Sequence, residues 1–330
     1  MSVPVITFFN NKGGVGKTSM IYHLSYMFAD HGLRVLAADL DPQCNLTAAF
    51  IDEERLEEVL RGNQRVRTIY GAVQPLKRGT GDIADPSLEE INDNLRLIAG
   101  DLALSSFEDH LAECWPKCLA SDERAFRVMS AFWRVLQKAA TNWADVVLID
   151  LGPNLGATNR AALIASDFVV IPLSPDLFSL QGLENLGPAL KTWRADWQER
   201  VPRNPASDLI LPPGKIVPVG YMVLRHSIRL DRPVKAYEKW MARIPETYNR
   251  AVLDRPPAPD INIDNDNDCI AKLRDYRSLM PLAQEARKPM FFLKPADGAM
   301  GAHIHAVQDL YKDFLRLAKI IAGRTGLKLE

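Results

Sequence analysis

Residues 10 to 18 read N-N-K-G-G-V-G-K-T, a run whose residue types suit the holding of phosphate. Gly13, Gly14 and Gly16 let the backbone approach an anion with no Cβ in the way. Lys17 stands where it supplies a point charge to β- and γ-phosphates, and the Thr18 hydroxyl where it serves as a ligand to Mg²⁺. Together with Val15 and Ser19 these residues form the expected nucleotide cradle, so ATP or GTP is the implied ligand. The strict pattern G-x-x-x-x-G-K-[ST] fails at position 11, where Asn replaces the first Gly. Lys12, five residues before Lys17, is the distinctive addition.

Such a loop needs a strand to aim it and a helix to close it. Val3 to Phe9 has the apolar run of a buried strand, and Ser19 to Phe28 carries apolar residues at helical spacing. Backbone N–H groups and the helix dipole then converge on the anion. Leu33 to Asp39 reads as a second strand that runs into D-L-D-P-Q-C-N-L-T. Asp145 to Asp150 is an apolar strand ending in an acid, followed by L-G-P-N-L-G, and Phe168 to Pro175 is a further strand entering a P-x-x-P turn. Strands alternating with helical patterns predict an α/β fold, a doubly wound and mostly parallel sheet flanked by helices, with its ligand at the carboxyl ends of the strands.

Two segments break this rhythm within what reads as a single domain over 1–330. Residues 52–144 show one clear strand, Leu95 to Gly100, and helical candidates near Asp52 to Leu60, Ser105 to Ala112 and Glu123 to Thr141, a helical elaboration. Residues 254–277, beginning R-P-P-A-P-D and rich in Asp and Asn, read as a polar surface loop.

The run K-G-G-V-G-K-T, the D-L-D-P-Q-x-N segment, the acid-ended strand at Asp150 and the closing A-Q-E-A-R-K-P-M-F-F-L resemble the ParA/MinD family of dimeric P-loop ATPases with a deviant Walker A loop, and ParA-type partition ATPases most. The likeness covers roughly residues 1–50, 143–250 and 279–320. Cys44 stands where that family commonly has Gly, and Leu151 and Gly152 replace its usual Thr or Cys and Pro. The resemblance implies a Mg²⁺-dependent ATPase, slow without a partner. It places Thr18 on Mg²⁺, with Asp39 and Asp150 near its water shell, and Asp41 on the attacking water. Lys12 would reach across a homodimer interface, so Lys12, Lys17 and Asp41 form the implied catalytic set. It also implies that the ATP-bound homodimer binds double-stranded DNA without sequence preference and that a ParB-like activator protein resets it, as in DNA or plasmid partition. Alternatives from the same superfamily are an ATP-switched scaffold for a protein cargo or effector, a MinD-like membrane ATPase, and a ligase.

The chain has 330 residues, 47% of them hydrophobic and 25% charged, with a net charge of −1, so no global field draws it to nucleic acid. Between Lys215 and Arg243, however, seven basic residues face two acids. Arg225, Arg229, Arg232 and Lys235 are the candidate DNA contacts there, and salt weakens such contacts steeply. The C-terminal helix, about His305 to Ala322, has one apolar face, expected to dock on the sheet and not on a membrane. Four cysteines lack the spacing of a disulfide framework. With no secretory h-region and no run of about 18 apolar residues, the expected location is the cytoplasm, on the nucleoid in the ATP state.

Overall fold

The computed structural model describes residues 2–61, 67–224, 234–256, 260–274, 276 and 278–329. Eight strands form one sheet in the order β3-β4-β2-β5-β1-β6-β7-β8. In chain order these are β1 (Val5–Phe8), β2 (Val35–Asp39), β3 (Glu89–Asn92), β4 (Leu95–Ile98), β5 (Val146–Asp150), β6 (Phe168–Leu173), β7 (Val217–Leu224) and β8 (Cys269–Leu273). Every neighbouring pair is parallel except β3 with β4, an antiparallel hairpin at one edge. The central strands V-I-T-F, V-L-A-A-D and V-V-L-I-D are buried at every position, as parallel strands covered on both faces must be.

Helices cover both faces. The first half of the chain supplies α1 (Lys17–Asp30), α2 (Asn45–Phe50), α3 (Glu53–Leu60), α4 (Ile69–Arg78), α5 (Glu108–Lys117), α6 (Glu123–Met129) and α7 (Ala131–Ala140). The rest of the chain adds α8 (Ala157–Ile164), α9 (Leu177–Arg200), α10 (Val234–Tyr248), α11 (Met280–Ala286) and α12 (Ala302–Thr325). One core lies under α4 to α10, where Phe107, Phe126, Phe132 and Trp197 are enclosed. The other lies under α1, α11 and α12, around Ile21, Phe28, Phe291 and Phe314. The apolar face of the last helix is spent on this second core, with Leu310, Phe314, Leu317 and Ile321 buried. Among the described residues no helix is long and apolar enough to cross a membrane.

Three elements differ from the sequence-based expectation. The Asp- and Asn-rich segment read as a loop over 254–277 ends in β8, which pairs in parallel with β7 through Cys269 to Leu273 and buries Ile270 and Leu273. The polar run before it hid a five-residue strand. The helix expected over Glu123 to Thr141 is broken at Ser130, whose hydroxyl turns back to donate to the Phe126 carbonyl at 2.7 Å. The expected helix at Ser105 begins instead as a 3-10 turn over Leu102–Phe107 that passes into α5.

His23 ties α1 to the segment between α11 and α12. Its Nδ1 lies 2.7 Å from the Ser19 carbonyl, and its Nε2 accepts from the Met290 amide at 3.2 Å. Burial pushes its pKa down to about 4, against a smaller opposing pull from the Ser19 carbonyl. The unfolded chain binds this proton at about pH 6.5 and the folded chain only near 4, so stability drops as pH falls through that window. Urea unfolding at pH 7.5 and pH 5 should show the wild type losing about 2 kcal/mol more than His23→Gln. Equal losses would contradict this.

Candidate functional site

The loop leaves the carboxyl end of β1 and enters α1 through Gly16, whose φ of 73° is left-handed. Gly14 is also left-handed, at φ 72°. A Cβ on Gly16 would lie 2.7 Å from Leu224 Cδ1 at the end of β7, so both conformation and space require glycine. No side chain caps the α1 N-terminus, which leaves its first amides to an external acceptor. Val15 is buried, and Asn10 anchors the loop by donating from Nδ2 to the Pro172 carbonyl at 2.8 Å.

The two lysines of the loop diverge. Lys17 is buried and donates from Nζ to the carbonyls of Asn10 at 3.1 Å and Lys12 at 3.3 Å. Burial lowers its pKa, and the charges of Asp150 and Asp41 partly restore it. Lys12 instead pairs with Asp176 of the same chain, the residue that caps α9 by accepting from the Ser179 amide at 2.9 Å.

Three carboxylates converge beside the loop. The parallel register of β2 and β5 sets Asp39 opposite Asp150, and both are fully buried. Asp150 accepts from the Thr18 hydroxyl at 2.6 Å. Asp39 accepts from the Thr47 amide at 2.8 Å and hydroxyl at 2.7 Å, and from the Asp41 amide at 3.2 Å. Asp41, nearly buried, accepts from the Gln43 amide at 3.0 Å. Burial raises the pKa of both Asp39 and Asp150, and for Asp150 the charge of Asp39 raises it further. Gly100 and Gly152 give these carboxylates room, since a Cβ at either would lie 3.0 to 3.1 Å from Asp39 or Asp41.

This set fits a hard divalent cation with a phosphate chain. Oxygen donors of like charge, held together out of water, call for a compensating cation, and Lys17 rests on carbonyls that a phosphate would replace. Thr18, Asp39 and Asp150 are the candidate holders of the metal. A cavity of about 570 Å³ opens from Thr18 and Ser19 along α1, between α2 and α11, and includes Tyr22, Asn45 and Arg287.

The structure thus brings together Gly13, Gly14, Val15, Gly16, Lys17, Thr18, Ser19, Asp39, Asp41 and Asp150, with Lys12 at the rim. Sequence reasoning gave no role to Thr47, although it closes the D-L-D-P-Q-C-N-L-T run, or to Asp176, whose D-x-x-S spacing is that of a helix cap. Of the basic segment, Arg225, Arg229 and Arg232 lie outside the described residues, as does the Lys235 side chain. Lys215 is engaged with Asp167 at 3.0 Å, and Lys239 and Arg243 flank the Trp240 ring at 5.3 Å each.

The sequence model of the AAA domain family matches residues 3–202. An uncharacterised protein of Methanocaldococcus jannaschii is 30% identical over 57% of this chain and 70% of its own length. The sporulation initiation inhibitor protein Soj of Bacillus subtilis is 31% identical over 55% of this chain and 62% of its own. The chain spans less than half, 42% and 43%, of two other relatives, a putative replication protein A of Rhizobium rhizogenes and the IncC protein of Escherichia coli. Among solved structures, a putative plasmid partition protein of Borrelia burgdorferi bound to AMPPNP superposes with a TM-score of 0.61 at 18% identity, covering 98% of this chain and 99% of that one.

The buried carboxylate pair sets a stability test. A carboxyl whose folded pKa is raised stabilises the fold while protonated, and that contribution is lost as pH rises through the folded value. Asp150→Asn should therefore be more stable than wild type at pH 8, without nucleotide or metal, by more than about 1 kcal/mol in urea unfolding. A less stable variant would show that the pair is compensated in some other way.

Proposed function

Because this chain belongs to the ParA/MinD family of P-loop ATPases, we propose that it is a partition-type ATPase whose ATP-bound homodimer binds double-stranded DNA without sequence preference. A ParB-like activator protein stimulates hydrolysis and so resets the cycle, which serves DNA segregation in the cytoplasm, on the nucleoid while ATP is bound. The observation that carries this reading is the divergence of the two loop lysines. Lys17 turns into its own cradle, whereas Lys12 pairs with Asp176 at the start of α9, where the next two residues, Leu177 and Phe178, are 41% and 67% exposed. Exposed apolar residues beside a cation directed away from its own loop suit closure against a second copy.

In this reading Lys17 binds the β- and γ-phosphates, exchanging its carbonyl partners for phosphate oxygens. The Thr18 hydroxyl, with Asp39 and Asp150, holds Mg²⁺, which when bound offsets negative charge on the transferred phosphoryl group. Asp41, oriented by its own turn, positions the attacking water. Lys12 leaves Asp176 as the dimer closes and places its charge on the partner's transferred phosphoryl group, the role an arginine finger plays elsewhere. Hydrolysis then requires the closed dimer.

Two substitutions test this. Lys12→Ala should slow hydrolysis roughly a thousandfold while nucleotide affinity changes less than about threefold, read by phosphate release and fluorescent-nucleotide titration; wild-type turnover in this variant would refute the trans lysine. Asp41→Ala should accumulate as an ATP-bound dimer that binds random-sequence duplex DNA with ATP and not with ADP, and less as salt rises. A confirmed dimer that binds no DNA in either state would remove the DNA-tethered cycle.

A further inference from the structure

Glu108 of α5, in the helical segment between β2 and β5, caps a helix that adjoins the nucleotide site. Helix α8 begins at Gly156, which offers no side-chain cap. Its cap comes from Glu108 at the first position of α5: the carboxylate accepts from the Ala157 amide, from the Thr158 amide at 2.7 Å and from the Thr158 hydroxyl. The contact is close: a Cβ on Gly156 would stand 2.4 Å from Glu108 Oε1.

Between Asp150 and this junction lies the loop Leu151 to Leu155. Asn159 of α8 holds it by donating from Nδ2 to the carbonyls of Gly152 at 2.8 Å and Asn154 at 2.7 Å. The loop in turn adjoins the reacting groups. A Cβ on Gly152 would meet Asp41 Oδ1 at 3.1 Å, and one on Gly13 would meet Pro153 Cγ at 3.8 Å. A second contact joins the same two helices, where Arg160 of α8 stacks on Trp115 of α5 at 4.5 Å. Helix α8 is therefore fixed to α5 at its first turn, and the loop behind Asp41 is fixed to α8.

We propose that Glu108 is a positioning residue for ATP hydrolysis: by capping α8 from the helical segment it sets the loop Leu151 to Leu155 against Asp41 and the phosphate loop. This rests on the ATPase reading above. Glu108 touches neither nucleotide nor water in this role, and its influence passes through the backbone of the loop. Displacement of a positioned water or base by about an ångström costs one to two orders of magnitude in rate. Losing the cap should accordingly lower kcat and leave ground-state nucleotide binding nearly intact.

The test compares Glu108→Gln with Asp122→Ala. Asp122 caps α6 in the same helical segment, accepting from the Ala125 amide at 3.0 Å. Both variants should unfold slightly below wild type. Glu108→Gln should lower kcat about tenfold with KM and ADP affinity within about twofold, whereas Asp122→Ala should keep the wild-type kcat. Unchanged kcat in folded Glu108→Gln would overturn the proposal, as would equal losses in both variants, which would mark the cap as structural alone. If Glu108→Gln does not fold, Thr158→Ala removes one of the three donors and carries the same test: a lowered kcat supports the proposal and an unchanged kcat overturns it. Absence of any ATP turnover by the wild type, alone or with DNA, would overturn the ATPase reading and this proposal with it.

Discussion

Asp39 and Asp150 end neighbouring parallel strands in register, which places two buried carboxylates side by side at the carboxyl edge of the sheet. Adjacent strands lie about 4.8 Å apart, and at that spacing, away from water, the second negative charge is strongly disfavoured. The surrounding residues are arranged around this constraint. Thr47 gives Asp39 two hydrogen bonds and also accepts from the Gly100 amide at 2.8 Å, and Thr18 gives Asp150 one. These bonds hold the oxygens in place without removing the repulsion. The fold thus retains an unfavourable arrangement that a bound cation would relieve, a common way for a binding site to trade stability for function.

The phosphate loop shows the complementary pattern, positive groups held close by weak internal partners. Lys17 rests on two carbonyls of its own loop, and the first amides of α1 have no side-chain cap. Both are poorer acceptor arrangements than a phosphate provides. Lys12 has a charged partner in Asp176, so moving it requires breaking an ion pair of the folded chain. On the reading proposed above, Lys17 would be free to turn to the chain's own nucleotide, whereas Lys12 would first have to leave Asp176.

Much of the central sheet was legible in sequence because buried parallel strands are short apolar runs, and β1, β2, β5 and β6 each end at a motif. The loop between β1 and α1 was equally legible, since strand, glycines, lysine and hydroxyl agree locally. The hairpin strand β3, E-E-I-N, lacks a β-branched run and was missed. So was α4, which contains Pro75. Strand β8 was concealed by the Asp and Asn residues before it, whose turn chemistry dominates a local reading. The roles of Asp176, Asn159 and Glu108 depend on contacts made after folding: Asp176 and Lys12 are 164 positions apart, and Glu108 and Thr158 are 50 apart. Local patterns carry no record of such pairings.

The central claim is that the paired carboxylates receive the metal that accompanies the nucleotide. Calorimetric titration of ADP into the wild type and into Asp150→Asn, with and without Mg²⁺, measures this directly. The account predicts that Mg²⁺ tightens ADP binding at least about tenfold in the wild type and by less than about twofold in Asp150→Asn, a difference of roughly 1 kcal/mol. The same tightening in both proteins would contradict it, and would place the metal away from Asp39 and Asp150.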